Sequence, residues 1–199
     1  MIATELPNRR VEAWKYSDLR AALGAEPHVL RDGRDIVERL APGTQRIDIP
    51  AGEARIFIER MDDDRHLDAR AFEWNVSEDA SLTRVVIQTG AATSLTTAQV
   101  NLAAKASFTQ FILAFGAKLA RLETHVNING QGARVELNGA YLVDGGRHAD
   151  LTSVIDHNVP QGVTRQLIKG VARKGGRGVF QGKIVVARGA QKTDARQYH

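Results

Sequence analysis

The chain has 199 residues, 43% of them hydrophobic and 25% charged, a balance ordinary for a folded domain that excludes disordered and collagen-like classes. Its 27 Lys and Arg are interspersed with 23 Asp and Glu, so the net charge of +4 describes a solvated surface and not a nucleic-acid-binding run. With no cysteine and no apolar run near the roughly 18 residues of a membrane span, disulfides, thiolate ligation and a spanning helix are all excluded.

The first five residues carry no basic segment followed by an apolar one, so no secretory leader is expected and the chain reads as cytoplasmic. Asn8 to Leu23 places Val11, Trp14, Leu19, Ala22 and Leu23 at helical spacing, and Gly24 stops the pattern, which predicts one amphipathic helix. A second short helix is predicted from Asp32 to Leu40, with Asp32 as its cap and Asp35 three residues on, ended by Pro42-Gly43. Arg55 to Glu59 reads as a strand, followed by a polar turn from Met61 to Arg65. Residues 1–50 are therefore assigned to a helical lead-in and 51–199 to a β domain.

From about Ser81 short Val, Ile, Thr and Leu runs alternate with polar residues and are punctuated by glycine-bearing turns. Alternate side chains of a strand face opposite sides, so a recurring apolar set marks a recurring buried face. Ala120, Leu122, Thr124, Val126 and Ile128 form such a set. A step of 29 gives Ala149, Leu151, Ser153, Ile155 and His157, and a second gives Gly178, Phe180, Gly182, Ile184 and Val186. A looser ladder links Val135–Leu137 to Gln166–Ile168, and Gly139–Tyr141 to Gly170–Ala172, with a step of about 31. Two strand families sharing one period describe a mainly β solenoid whose coils bury one another's apolar faces. Leu122, Leu151 and Phe180 are expected to stack toward a shared interior.

His157 is the residue most open to a chemical role, because the ladder sets a titratable ring inward between Ile128 and Val186. The structural reading is that Asn158 and Pro160 end the strand and let the ring hydrogen-bond at a corner. His125 and His148 fall on outward or turn positions, and His125 is set against Val154, so they form no stacked metal site. Asp62, Asp63 and Asp64 lack the spacing and glycine of a calcium loop and read as a solvated turn. Gly145-Gly146-Arg147-His148 and Lys174-Gly175-Gly176-Arg177-Gly178 read as corners, since neither leads into a Lys-Ser/Thr pair or a helix. No nucleophile elbow, His-Glu-x-x-His or carboxylate pair is present, so no catalytic residue is assigned.

The stretch Arg10-Val11-Glu12-Ala13-Trp14-Lys15-Tyr16-Ser17-Asp18-Leu19 resembles the opening block of the SufD branch of the SufB/SufD family. The blocks Ala149 to Pro160, Gly178 to Val186, and Gln191-Lys192-Thr193-Asp194-Ala195 resemble successive blocks of the same iron-sulfur cluster assembly family. The resemblance implies a right-handed parallel β-helix and a non-catalytic scaffold that pairs with a SufB-like paralogue and a SufC-like ATPase. Iron or an iron-sulfur cluster would be handled by that complex and not by this cysteine-free chain alone. The interspersed charges and the lack of a long apolar run give no nucleic-acid and no membrane partner.

Family members continue past the Gln191–Ala195 block, so the chain reads as truncated at His199. Its last coil, with Ile184, Val185 and Val186, is then expected to be a partner surface and a route to homo-oligomers through the end of the β-helix. A carbohydrate-active β-helix such as a polysaccharide lyase is the alternative. It would want a charged cleft, whereas the outward positions Arg121, Asp150, Val179 and Glu123, Thr152, Gln181 change chemistry from coil to coil. A hexapeptide-repeat acyltransferase does not fit the period.

Overall fold

The computed structural model describes residues 6–24 and 28–199; the first five residues, read above for a leader, lie outside them. The predicted N-terminal helix is broken in two. A 3₁₀ turn spans Glu12–Trp14, and helix α1 spans only Leu19–Leu23. The break falls at Asp18, which takes an extended backbone and caps α1 by accepting the Ala21 N–H at 2.9 Å. Helix α2 spans Ile36–Leu40 and is capped by Asp35, not Asp32: Asp35 Oδ1 accepts from the amides of Val37 and Glu38.

Twelve strands follow: β1 (Thr44–Ile49), β2 (Ala54–Met61), β3 (Asp68–Val76), β4 (Ser81–Gln88), β5 (Ser94–Leu102), β6 (Ser107–Ala114), β7 (Ala120–Ile128), β8 (Arg134–Val143), β9 (His148–His157), β10 (Val163–Ala172), β11 (Arg177–Val186) and β12 (Asp194–Tyr198). The odd-numbered strands form one six-stranded parallel sheet and the even-numbered strands another, so each turn of the chain contributes one strand to each sheet. This is a β-solenoid. Strand β1 lies within the segment assigned from sequence to the lead-in, and it is hydrogen-bonded into the odd sheet through β3.

The ladder read from the sequence is the observed register. Leu122 pairs with Leu151 and Leu151 with Phe180, and Ile128 pairs with His157 and His157 with Val186. The second ladder needs correction: Leu137 pairs with Gln166 and Tyr141 with Gly170, a step of 29 and not 31. Both sheets belong to the same coil, so their steps can differ only if a corner changes length. A step of 31 does occur one coil later, where Val163 pairs with Asp194. Earlier coils are shorter, with Ser94 opposite Ala120 and Ser81 opposite Ser107, a step of 26.

The interior between the sheets is close-packed and largely apolar, with the ion pair of Arg84 and Glu59 buried in it. At the first coils Phe72 stacks on Trp74 at 4.9 Å, with Phe57 edge-on to both. Further along, the Tyr141 ring fills the space left by two glycines: a Cβ on Gly170 or Gly178 would lie within about 2 Å of it. Small residues in the ladder are thus niches for large neighbours across the core. On the outer face of the odd sheet, Asn127 donates to Asn101, Asn101 to Asn75 and Asn75 to Asp48, an amide ladder that follows the register.

One corner explains how the coils close. Between each odd strand and the following even strand, a single residue has left-handed backbone: Gly52, Asp79, Lys105, Gly132, Gln161 and Lys192, with φ between 55° and 73°. The turn geometry repeats in every coil, but glycine supplies it in only two of them.

Candidate functional site

Part of the outer face of the odd sheet is covered by the chain's own N-terminal segment. Leu19, Leu23, Val37 and Leu40 pack with Ala69, Ala71 and Leu95 of the sheet, and Trp14 is buried with them. This placement decides the environment of Arg121 and Asp150, the outward ladder positions read from the sequence. They do point outward, but both are at most 1% exposed, because the segment lies over them.

The burial of these charges is compensated locally. Arg121 Nη1 donates to Asp150 Oδ2 at 2.7 Å, its Nη2 donates to Glu123 Oε2 at 3.0 Å, and its guanidinium carbon sits 4.3 Å from the Trp14 ring centre. Asp150 Oδ2 also accepts from Ser17 Oγ, and Asp150 Oδ1 accepts from Thr152 Oγ1 at 3.0 Å. Burial alone would raise the Glu123 pKa, but the hydrogen bond from His125 and the Arg121 charge outweigh it and hold the carboxyl below its usual range. The Trp14 to Asp18 stretch is therefore a clip: Trp14 and Ser17 grip the sheet, and Asp18 starts α1. The sequence carried a signal for the ion pair, though not for its cover, since Arg121 and Asp150 are opposite charges one 29-residue step apart.

Beside the clip is an open groove of about 890 Å³, walled by Lys15 and Tyr16 on one side and by Glu123, His125, Gln181 and Lys183 on the other. Its lining offers hydrogen-bond donors and acceptors of both charges. No group of three His, Asp or Glu able to hold a metal ion occurs among the described residues, and the sequence has no cysteine.

His157 is buried on the inward face, at the end of β9. Its Nε2 lies 2.9 Å from Thr164 Oγ1, across the turn that carries Pro160. Burial pushes its pKa down. His125 is half-buried on Glu123, 2.7 Å away. His148 opens β9 and pairs with Ala117; burial and the nearby Arg177, Arg9 and Arg121 charges bring its pKa down to about 4, against the pull of Asp150. The three histidines stay apart. Asp63 and Asp64 are held in their turn by the amides of Arg65, His66 and Ala91. Val185 and Val186 are 38% and 50% exposed on β11, an edge strand, whereas Ile184 packs on the core. No helix among the described residues is long and apolar enough to cross a membrane.

The family model for the SUF system FeS cluster assembly SufBD core domain matches residues 45–199, the strand stack from the second residue of β1 onward. The chain belongs to the SufBD core family. The iron-sulfur cluster assembly protein SufD of Escherichia coli strain K12 is 28% identical over 155 residues, covering 75% of this chain and 37% of that protein. The iron-sulfur cluster assembly SufBD family protein slr0076 of Synechocystis sp. strain ATCC 27184 / PCC 6803 / Kazusa is 33% identical over 82 residues, 41% of this chain and 18% of that protein. The chain thus spans less than two-fifths of the length of either SufBD relative. No solved structure matches the chain.

Proposed function

We propose that this chain is a SufD-like, non-catalytic scaffold unit of the SUF iron-sulfur cluster assembly system. In this reading it acts in the cytoplasm beside a SufB-like paralogue and a SufC-like ATPase, and handles iron or a nascent cluster only as cargo of that complex. The observation that carries the reading is the SufBD core match along the strand stack, residues 45–199. The cysteine-free composition supports a supporting role, because cluster thiolates must then come from a partner. The Trp14–Asp18 clip supports the SufD assignment, since the block that resembles SufD is the one that grips Arg121 and Asp150.

Val185 and Val186, exposed on β11, with Ile184 beneath them, are the proposed docking patch for the paralogue. Polysaccharide cleavage is disfavoured because Arg121 and Asp150, charges such a cleft would use, are buried under the clip. Co-expression of the full chain with its SufB-like and SufC-like relatives tests the proposal. A stable complex that survives size exclusion in mild salt is expected; elution of the chain alone overturns it.

A further inference from the structure

The described residues leave the even sheet's outer face open, and its charges are spread unevenly along the strands. Toward the C-terminal ends of β6, β8 and β10, Leu113, Ala140 and Lys169 are neighbours in register. The small Ala140 leaves an open hollow of about 370 Å³ there, with Phe111 and Leu167 on its other walls. Two residues further along the same strands, Leu142 pairs with Val171, and the two are 45% and 56% exposed. Two more residues bring the chain to the corners that join each even strand to the next odd strand. One holds Asp144 and Arg147, and the next holds Arg173 and Lys174. An apolar socket therefore leads into a charged rim.

The rim is cationic. Among the described residues Lys169, Arg173, Lys174 and Arg177 form no ion pair, and Lys118 adds an exposed cation in the preceding corner. Arg147 Nη1 donates to the Gly116 carbonyl at 3.0 Å, which fixes the side chain and leaves its charge in place. Asp144 is the one carboxylate in these three corners. The outward carboxylates of β8, β10 and β12, Glu136 and Asp194, lie at the opposite ends of their strands, and Asp194 is held by Arg165. The acidic corner with Asp62, Asp63 and Asp64 is set off from Lys118 by the uncharged corner Thr89 to Thr93, two coils or roughly 10 Å away.

Unpaired cations beside an aliphatic socket select a ligand by two features at once, negative charge and an apolar side chain. Carboxylates of a peptide meet guanidinium and ammonium groups through charge-assisted hydrogen bonds. A nucleic-acid strand fits less well, because it docks by stacking bases on aromatic side chains and the exposed positions beside this rim, Leu142 and Val171, are aliphatic. From Ala140 to the corner at Asp144 is about 13 Å at roughly 3.3 Å per residue, which sets the spacing between an anchor and its acids. We propose that this end of the even sheet's outer face docks an acidic segment of a partner protein, with an aliphatic side chain in the hollow at Ala140 and carboxylates on Arg173 and Lys174. The surface is separate from the paralogue patch at Val185 and Val186, and the proposal does not depend on the chain's place in the SUF system.

Fluorescence anisotropy of the peptide Leu-Ser-Gly-Ser-Glu-Asp-Glu, labelled at its C-terminus and titrated with the full chain, tests it. Binding with a Kd below about 100 μM that weakens with salt is expected. Replacing the peptide's Leu by Ser, or filling the hollow with Ala140→Phe, should each weaken binding about tenfold. The peptide change keeps the socket testable if Ala140→Phe disturbs folding. Arg173→Glu combined with Lys174→Glu should weaken binding about 30-fold or more, whereas Arg188→Glu and Lys192→Glu, at the opposite corners, should leave it unchanged. Absence of binding overturns the proposal, as do equal losses from the Arg188 and Lys192 variants. Tighter binding of an oligothymidylate of the same charge overturns it in favour of nucleic acid, and self-association that Ala140→Phe abolishes overturns it in favour of a second copy.

Discussion

The Arg121 guanidinium lies over the Trp14 indole, its central carbon 4.3 Å from the ring centre, and joins a side chain near the start of the chain to one in the seventh strand. The same guanidinium neutralises Asp150 and Glu123, so one residue holds the N-terminal segment and balances the charge beneath it. Arg121→Ala leaves Asp150 buried and unpaired, and a loss of about 3–5 kcal/mol is expected. Trp14→Ala should cost about 3 kcal/mol and Ser17→Ala about 1 kcal/mol. Urea unfolding measures all three; equal losses from Ser17→Ala and Arg121→Ala would contradict the assignment of Arg121 as the hub.

Inside the solenoid a second arginine meets a second tryptophan. Arg84 lies 5.3 Å from the Trp74 ring centre, donates to Glu59 at 2.5 Å and to Gln110 at 2.9 Å, and is wholly buried, as is Glu59. Glu59→Gln should destabilise by about 3 kcal/mol because it strands the guanidinium, whereas replacing both residues by Met should cost far less, since the desolvation of two charges is removed with their attraction. A double-mutant cycle read by thermal unfolding checks this. Additive losses would show that the pair is not coupled.

The left-handed corner gives a prediction of opposite sign. Lys105 and Gln161 occupy the same φ ≈ 55–65° position that Gly52 and Gly132 fill in other coils. Lys105→Gly and Gln161→Gly should stabilise the protein, by about 0.5–1 kcal/mol each, once relief of backbone strain is set against the greater freedom of glycine in the unfolded chain. Chemical denaturation of the single variants decides it, and a loss of stability in both would mean that their side chains matter more than the backbone.

His148 makes stability depend on pH. Its folded pKa of about 4 is below the usual 6.5, so between those values the unfolded chain binds a proton that the native state does not. The contribution is complete above pH 6.5 and is lost as the pH falls toward 4. Buried His157, also pushed down, acts in the same direction. Unfolding free energy should therefore drop over this window, and His148→Gln should flatten the slope. An unchanged slope in that variant would remove His148 from the account.

The 29-residue ladder was legible in the sequence because a parallel solenoid converts sequence distance into spatial adjacency: each residue on a strand meets the one a full coil away, so Leu122, Leu151 and Phe180 announce their stacking by type alone. The inward placement of His157 followed from the same rule. Corner length was less legible, and the second ladder was misread by two residues, because turns hold no periodic apolar set to fix the register. The left-handed residues at Lys105 and Gln161 left no mark either, since the turn imposes its backbone on whatever side chain sits there.

What the sequence by itself determined is the repeat, the alternating buried face and hence the stack. What only the tertiary structure decided is which outward residues are truly outside. Arg121 and Asp150 alternate like any solvent-facing pair, and nothing in their own strands says that Trp14 and Ser17, more than a hundred residues earlier, lie on top of them. Periodicity reports contacts between neighbouring coils; it is silent about a non-repeating segment folded across them. That cover decides which part of the odd sheet's outer face is closed by its own chain, while the described residues leave the even sheet's outer face open.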